Sequence, residues 1–363
     1  MTTDAVTFHP LTVADVHPET DDSVAITFDV PDDLADAFRW VPGQHVIVRA
    51  EIEGEDVRRS YSICSPAGSG RLRVGVKRIP GGAFSTWATE SLAPGDVIEV
   101  APPVGEFTHA PDPDAADHHV AIAAGSGITP ILSIVATTLE QEPGSRVTLV
   151  YGNRTSRSIM FLDDVEALKD RFPHRFQVIH VLSREPHDVP LFEGRVDAAK
   201  LGMLLDTLVP AQKVAGWWLC GPFGMVEDAR AVLADRGVAD ERIHDELFFD
   251  ERFEPPPPPP EDTEGLARVT VTLDGRTSVV MVDPDGAPIL DYARTVRAEV
   301  PFACKGGMCA TCKAVVIEGE VRMDKNYALT DAERDAGLVL TCQSHPLTDE
   351  VVLSYDVHGG IGR

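Results

Sequence analysis

Six consecutive prolines stand at 255–260, inside FEPPPPPPEDTEG (253–265). No helix or central strand runs through such a stretch, because each proline locks φ and removes a backbone donor. The run favours extended polyproline II, and the acids that follow keep it in water. The chain is therefore expected to fold as separate bodies on either side. About one hundred residues follow, a normal size for one domain. Residues 253–265 are read as a linker and 266–363 as a C-terminal domain.

The residues before the linker change character near 110. Over 6–108, short alternating stretches such as HVIVRAEI, RLRVGVKR and VIEVAPP are punctuated by Gly and Pro. That pattern predicts an antiparallel β-barrel or sandwich over 1–110. HAPDPDAADHH (109–119) is a polar break. Strand and helix patterns then alternate, from HVAIAAGSG and TPILSIVATTLEQE through GWWLCGP to GMVEDARAVLADRG. This order predicts an α/β domain with a mostly parallel sheet over 111–252. The fold class is thus multidomain.

Net charge is −26, with the acids spread along the chain. Such a surface argues against nucleic-acid binding, which depends on basic residues. No apolar run reaches the roughly 18–20 residues of a membrane span. MTTDAVTFHP has neither the basic start nor the apolar core of a secretory signal. A cytoplasmic location is expected, with stable disulfides disfavoured.

Four of the six cysteines carry a specific pattern. Cys304, Cys309, Cys312 and Cys342 read C-x4-C-x2-C…C, the plant-type [2Fe–2S] spacing. Gly306 and Gly307 let backbone N–H groups approach the sulfurs, and such bonds tune the potential. Zinc is the alternative, but its sites more often use two short Cys/His pairs. The flanking strand patterns and the helix pattern APILDYARTVRAE fit a β-grasp domain of ferredoxin type. Cys64, alone after an apolar residue, reads as a small buried hydrophobe.

A [2Fe–2S] cluster passes single electrons, whereas a nicotinamide gives a two-electron hydride. A flavin connects the two. In RRSYSICS (58–65), Arg59 suits a phosphate, Tyr61 a ring face, and Ser62 the flavin edge. The alternative is a strand with a surface Arg and a half-buried Tyr. In VKRIPGGAFSTW (76–87), Gly82 and Ser85 open an apparent helix, whose first N–H groups suit phosphate, with Lys77 nearby. The alternative is a Gly-rich hairpin loop. AAGSGITP (123–130) offers Gly125 and Gly127 for a tight turn against a pyrophosphate, with Pro130 in a first helical turn. No acid ends the strand pattern VYGNR. Arg154, Arg157, Ser183 and Arg184 suit the 2′-phosphate of NADP, the alternative being solvated loop arginines. In LCGPFGM, Cys220, Gly221 and Pro222 are expected where nicotinamide meets flavin, the alternative being a simple strand-end turn.

R-x-Y-S, G-x-x-S, G-x-G-I-T-P and C-G-P in this order resemble the ferredoxin–NADP⁺ reductase superfamily. With the fused ferredoxin domain, and with PGQHV, LVYGNRTS, FACKGGMCATCK and LTCQSHPL, the chain is similar to the reductase subunits of bacterial phenylacetyl-CoA epoxidases. The resemblance implies FAD, NADPH, one [2Fe–2S] cluster and a multisubunit di-iron oxygenase as electron acceptor. It assigns Arg59, Tyr61, Ser62, Val76, Lys77, Gly82 and Ser85 to FAD. It assigns Gly125, Gly127, Thr129, Arg154, Ser183, Arg184, Cys220 and Gly221 to NADPH, and the four cysteines to iron. Ser62 and Cys220 are the residues expected at the hydride-transfer centre. The alternatives are the reductase of a ring- or steroid-hydroxylating oxygenase and, in another class, a non-catalytic protein with a structural zinc site.

Overall fold

The computed structural model describes residues 7–209, 213–247, 265–273, 275–297, 300–302, 305–307 and 310–356. The proline run, Cys304 and Cys309 lie outside the described residues.

The first six strands are β1 (His9–Thr20), β2 (Ser23–Asp29), β3 (His45–Ile52), β4 (Glu55–Ser62), β5 (Leu72–Lys77) and β6 (Val97–Val100). They form one sheet in the order β4-β3-β6-β1-β2-β5, with β1–β2 and β2–β5 antiparallel. The period-2 pattern explains the packing: Leu72, Val74 and Val76 of β5 point inward, each fully buried. Ile63, just past β4, bridges Val74 of β5, so the sheet curls round to its other edge and closes as the expected barrel. Helix α1 (Ala83–Glu90) lies between β5 and β6 in sequence.

The next part alternates β7 (His118–Ala124), α2 (Ile128–Gln141), β8 (Arg146–Asn153), α3 (Leu162–Arg171), β9 (Phe176–Leu182), α4 (Ala198–Thr207), β10 (Gly216–Gly221), α5 (Phe223–Asp235) and β11 (Ile243–Leu247). Its strands are all parallel, in the order β11-β10-β7-β8-β9. Strand β7 shows why both faces must be covered. Ala121 and Ala123 pack with α2 and α3, whereas Val120 and Ile122 pack with α4 and α5. The chain runs outward through β8 and β9, then returns across β7 to β10. That reversal is a topological switch point, where such sheets open a crevice at their C-terminal edge. Strand β11 had no sequence expectation.

The C-terminal part contains β12 (Ala267–Leu273), β13 (Arg276–Val282), α6 (Ile289–Val296), β14 (Lys313–Glu318), β15 (Val321–Met323), α7 (Asp331–Asp335), β16 (Leu338–Leu340), β17 (Ser344–Pro346) and β18 (Glu350–Ser354). The main sheet has the order β13-β12-β18-β14-β16, and its first and last strands, β12 and β18, pair in parallel. With α6 against the sheet, this is the expected β-grasp arrangement. Its core takes in Cys312 and Cys342.

The chain forms two compact units, one of Pro10–Val46 and Tyr61–Asp250, the other of Met1–His9, Ile47–Ser60 and Glu251–Arg363. Within the latter, the Arg58 guanidinium is 3 % exposed and pairs with Asp56 at 2.8 Å and Glu333 at 2.9 Å. It also donates to the Ala328 carbonyl. Burial works to raise the Glu333 pKa, but the bonds from Arg58 carry it below the ordinary value. No helix among the described residues is long and apolar enough to cross a membrane.

Candidate functional site

The switch point is built from two turns in contact. AAGSG leaves β7 and enters α2, and CGP leaves β10 and enters α5. A Cβ on Gly127 would stand 2.2 Å from the Cys220 carbonyl oxygen, so only glycine lets the turns touch. Gly125 takes the left-handed φ of 54°. Its carbonyl is held by the buried Tyr151 hydroxyl at 3.0 Å. Thr129, 1 % exposed, donates to the Ser126 carbonyl, so its hydroxyl fixes the turn. Pro130 falls in the first turn of α2, where its missing N–H costs little.

At the same C-terminal edge, Ser183 N–H donates to the Asn153 carbonyl and Arg184 N–H to that of Arg154. These bonds bring Arg154, Ser183 and Arg184 together, with both arginines exposed. Arg157 is exposed nearby in sequence. An acid also stands there: Glu185 accepts the Ser156 N–H at 2.8 Å.

The residues expected at hydride transfer converge. Ser62 closes β4, and its hydroxyl donates to Glu246 Oε2 at 3.2 Å. Glu246 lies opposite Cys220 in the β10–β11 register. His45 Nδ1 is 3.9 Å from Glu246 Oε1. Burial holds the His45 pKa down at about 4, so the ring is neutral at physiological pH. Burial pushes Glu246 up to about 7, against the Ser62 bond that lowers it. Burial, then the charges of Glu246 and Asp245, keep Cys220 a neutral thiol. Glu246 is the functional candidate that sequence reasoning missed. Sequence offered little signal for it, because IHDEL (243–247) carries a histidine and two acids between its two apolar residues.

Glu246 makes a pH prediction. Between its ordinary pKa of 4.5 and about 7, the folded chain holds a proton here that the unfolded chain has lost. Stability therefore falls as pH rises through that window, by up to about 3 kcal/mol. Melting temperatures from pH 5 to pH 8 should decline more steeply for the wild type than for Glu246→Gln. Parallel curves would show that the carboxyl titrates normally.

Of the residues expected at flavin, Tyr61 lies with its ring centroid 5.4 Å from that of Phe84. Gly82 is the N-cap residue of α1, whose first N–H groups face out of the helix end. The Ser85 hydroxyl accepts from Ile79 N–H and donates to the Gly82 carbonyl, closing the PGG turn. Lys77 Nζ is 3.6 Å from Asp22. Val76 is fully buried, so only its main chain is available to a ligand. Arg59 donates to the Arg58 carbonyl and, at 3.1 Å, to the Thr311 hydroxyl. A phosphate would compete with Thr311 for that donor. Cys64 is buried and bonds the Arg73 carbonyl, as a packing residue should.

In the C-terminal part, Cys312 and Cys342 are 2 % and 3 % exposed, and neither is tied up in a disulfide. Their segments are held together, because Thr341 donates both its N–H and its hydroxyl to the Cys312 carbonyl. The Gln343 amide donates to the Lys305 carbonyl at 2.7 Å, which fastens the other side of the loop. Lys305, Gly307 and Ala310 have φ of 49°, 78° and 52°. Left-handed residues of this kind turn backbone N–H groups inward into the concavities that hold iron–sulfur clusters. Buried thiols in such a loop fit a [2Fe–2S] group.

Comparison with known proteins agrees with these three parts. Residues 10–109 match the family described as "Oxidoreductase FAD-binding domain". Residues 121–231 match "Oxidoreductase NAD-binding domain", and 271–347 match "2Fe-2S iron-sulfur cluster binding domain". The chain is 44 % identical to a subunit of the 1,2-phenylacetyl-CoA epoxidase of Escherichia coli K12, over 97 % of this chain and 99 % of that one. It is 33 % identical to the ferredoxin reductase component of 3-ketosteroid-9-alpha-monooxygenase from Rhodococcus rhodochrous, over 95 % and 96 %. Phthalate dioxygenase reductase shares the fold, with a TM-score of 0.55 and 21 % identity over 96 % of this chain and 98 % of that one. The chain is an oxidoreductase that uses FAD, a nicotinamide nucleotide and a [2Fe–2S] cluster, and it belongs to the family of oxygenase reductase components that includes this phenylacetyl-CoA epoxidase subunit.

Proposed function

We propose that this chain is the cytoplasmic reductase of a phenylacetyl-CoA epoxidase, drawing on NADPH and supplying the di-iron oxygenase subunits. The observation that carries the reading is 44 % identity along nearly the whole of both chains, against 33 % for the steroid-oxygenase reductase. The division proposed is 1–110 for flavin, 111–252 for nucleotide, 253–265 as linker and 266–363 for the cluster.

When bound, FAD would supply the exchange between two-electron hydride chemistry and single-electron transfer, and the [2Fe–2S] group would supply the single-electron step. The residues of the chain bind and orient. The Gly125–Gly127 turn and the start of α2 receive the pyrophosphate. Arg154, Ser183 and Arg184 recognise the 2′-phosphate. Tyr61, Val76, Lys77, Gly82, Ser85 and Arg59 hold the flavin. The neutral, buried Cys220 gives the nicotinamide a close contact without a charge, and Gly221 leaves room beside it. Glu246 controls Ser62. Ionised, it accepts a hydrogen bond from the Ser62 hydroxyl. Protonated, it can donate instead and leave that hydroxyl proton free for the flavin edge. Cys304, Cys309, Cys312 and Cys342 ligate iron.

A coupled assay tests the reading. Anaerobically purified protein is mixed with the oxygenase subunits, phenylacetyl-CoA and NADPH or NADH, and O₂ is admitted. Epoxide formed in step with NADPH loss, and faster than with NADH, is the expected result. Nucleotide oxidation without epoxide would discard the partner and turn the search to ring- and steroid-hydroxylating oxygenases. Equal rates with both nucleotides would discard the role of the arginines, which Glu185 partly opposes.

A further inference from the structure

At the edge of the parallel sheet opposite the nucleotide crevice, three side chains from separate segments meet. His109 follows the barrel strands, with its backbone N–H on the Pro42 carbonyl. His119 is the second residue of β7, and Glu142 is the C-cap residue of α2. Strand β7 separates His119 from Ala124 at the crevice by roughly 16 Å, at about 3.3 Å per residue. The cluster is therefore no part of the site above.

Their ligand atoms all lie within 4.8 Å of one another. His109 Nε2 is 2.8 Å from Glu142 Oε1, and His119 Nε2 is 3.7 Å from Oε2. The Glu142 side chain is 1 % exposed. Among the described residues, its ion-pair partners are these two imidazoles. Arg175 is adjacent, but it donates to the carbonyls of Leu139, Glu142 and Ser145. The Asp112 N–H bonds Oε1, whereas Oε2 and His119 Nδ1 have no hydrogen-bond partner among the described residues.

A carboxylate buried this deeply needs a compensating cation. His109 and the Asp112 N–H serve Oε1, which leaves Oε2 with His119 Nε2 at 3.7 Å and no hydrogen bond. A divalent ion engages all three. Two imidazole nitrogens and one carboxylate oxygen are a zinc donor set, with bonds of about 2.0–2.2 Å and ligand atoms therefore about 3.3 Å apart. The two separations, 2.8 and 3.7 Å, run to different carboxylate oxygens, and the three ligand atoms lie within 4.8 Å of one another, so closing on one ion takes side-chain movements of up to about 1.5 Å. Trp218 forms a wall, its ring centroid 5.3 Å from that of His109 and 6.5 Å from that of His119. His109 is 13 % exposed and leaves a way in for the ion and a water as fourth ligand.

We propose that His109, His119 and Glu142 form a binding site for a divalent transition metal of the zinc class. The ion would pin the segment leaving the barrel to the start of β7 and the end of α2.

The test uses tag-free, full-length protein with flavin and cluster intact. It is equilibrated with low-micromolar zinc sulfate, passed into metal-free buffer, and assayed for zinc and iron by mass spectrometry. The expected result is about one zinc for every two irons in the wild type. His119→Gln and Glu142→Gln should lose the zinc while keeping their flavin and cluster absorbance. Should either variant fold poorly, His109→Gln, at the exposed side of the cluster, serves in its place. Zinc should also raise the melting temperature of the wild type but of none of these variants. A wild type that retains no zinc, or variants that retain as much as the wild type, would overturn the proposal.

Discussion

Replacing Cys342 with serine abolishes electron delivery to an oxygenase acceptor and leaves reduction of the flavin by nicotinamide intact. The residue is 3 % exposed, stands outside any disulfide and packs in the same core as Cys312. Plant-type clusters need four thiolates, and serine supplies a harder oxygen at a longer reach from iron. The Gly125–Gly127 and Cys220–Pro222 turns and the Ser62–Glu246 pair belong to the other compact unit, and of the residues proposed for flavin only Arg59 shares the unit of Cys342, so flavin reduction should survive the change. Anaerobic stopped-flow should show flavin bleaching at close to the wild-type rate, while iron content and acceptor turnover collapse together. Full acceptor turnover without iron would remove the cluster from the relay.

Gly127→Ala carries the second large effect. The added methyl would stand 2.2 Å from the Cys220 oxygen and 2.6 Å from its carbonyl carbon, both backbone atoms. Neither can swing aside as a side chain would. The two turns must separate by about 1 Å, a misplacement that can cost on the order of 10²-fold in rate. The strain should also cost roughly 1–3 kcal/mol of stability. Gly125→Ala is the internal control. A Cβ there meets nothing within 4 Å, and its cost is the left-handed φ of 54° alone. That conformation costs about 1–2 kcal/mol and should leave the hydride rate far less affected. Flavin reduction rates of the two variants decide the matter. Equal rates would mean that backbone conformation, not the close approach of the turns, governs the site.

The contrast between these two glycines also separates what local sequence encodes from what it does not. Strand before GSG, helix after it and proline in the first turn are short-range properties, and they predicted the turn around Gly125 correctly. The β5 alternation and the apolar run of β7 likewise announced a half-buried strand and one buried on both faces. The spacing of the cysteines announced a [2Fe–2S] domain, which the family match over 271–347 bears out. None of this says that Gly127 must touch Cys220, 93 positions later, or that Glu246 must meet Ser62 across 184.

Those meetings depend on the strand order β11-β10-β7-β8-β9, and so on the chain reversing at β7. The reversal follows from burying one apolar face of the sheet under α2 and α3 and the other under α4 and α5. It places β10 beside β7 and β11 outside β10. Glu246 thereby comes level with Cys220, while the same packing folds the end of α2 back to set Glu142 between His109 and His119. The sequence by itself determined most of the elements and the class of cofactors, because each is written in residues close along the chain. Tertiary structure alone decided the Ser62–Glu246 pair, the contact of the two turns and the buried His–Glu cluster, because each joins residues that only the order of strands brings together.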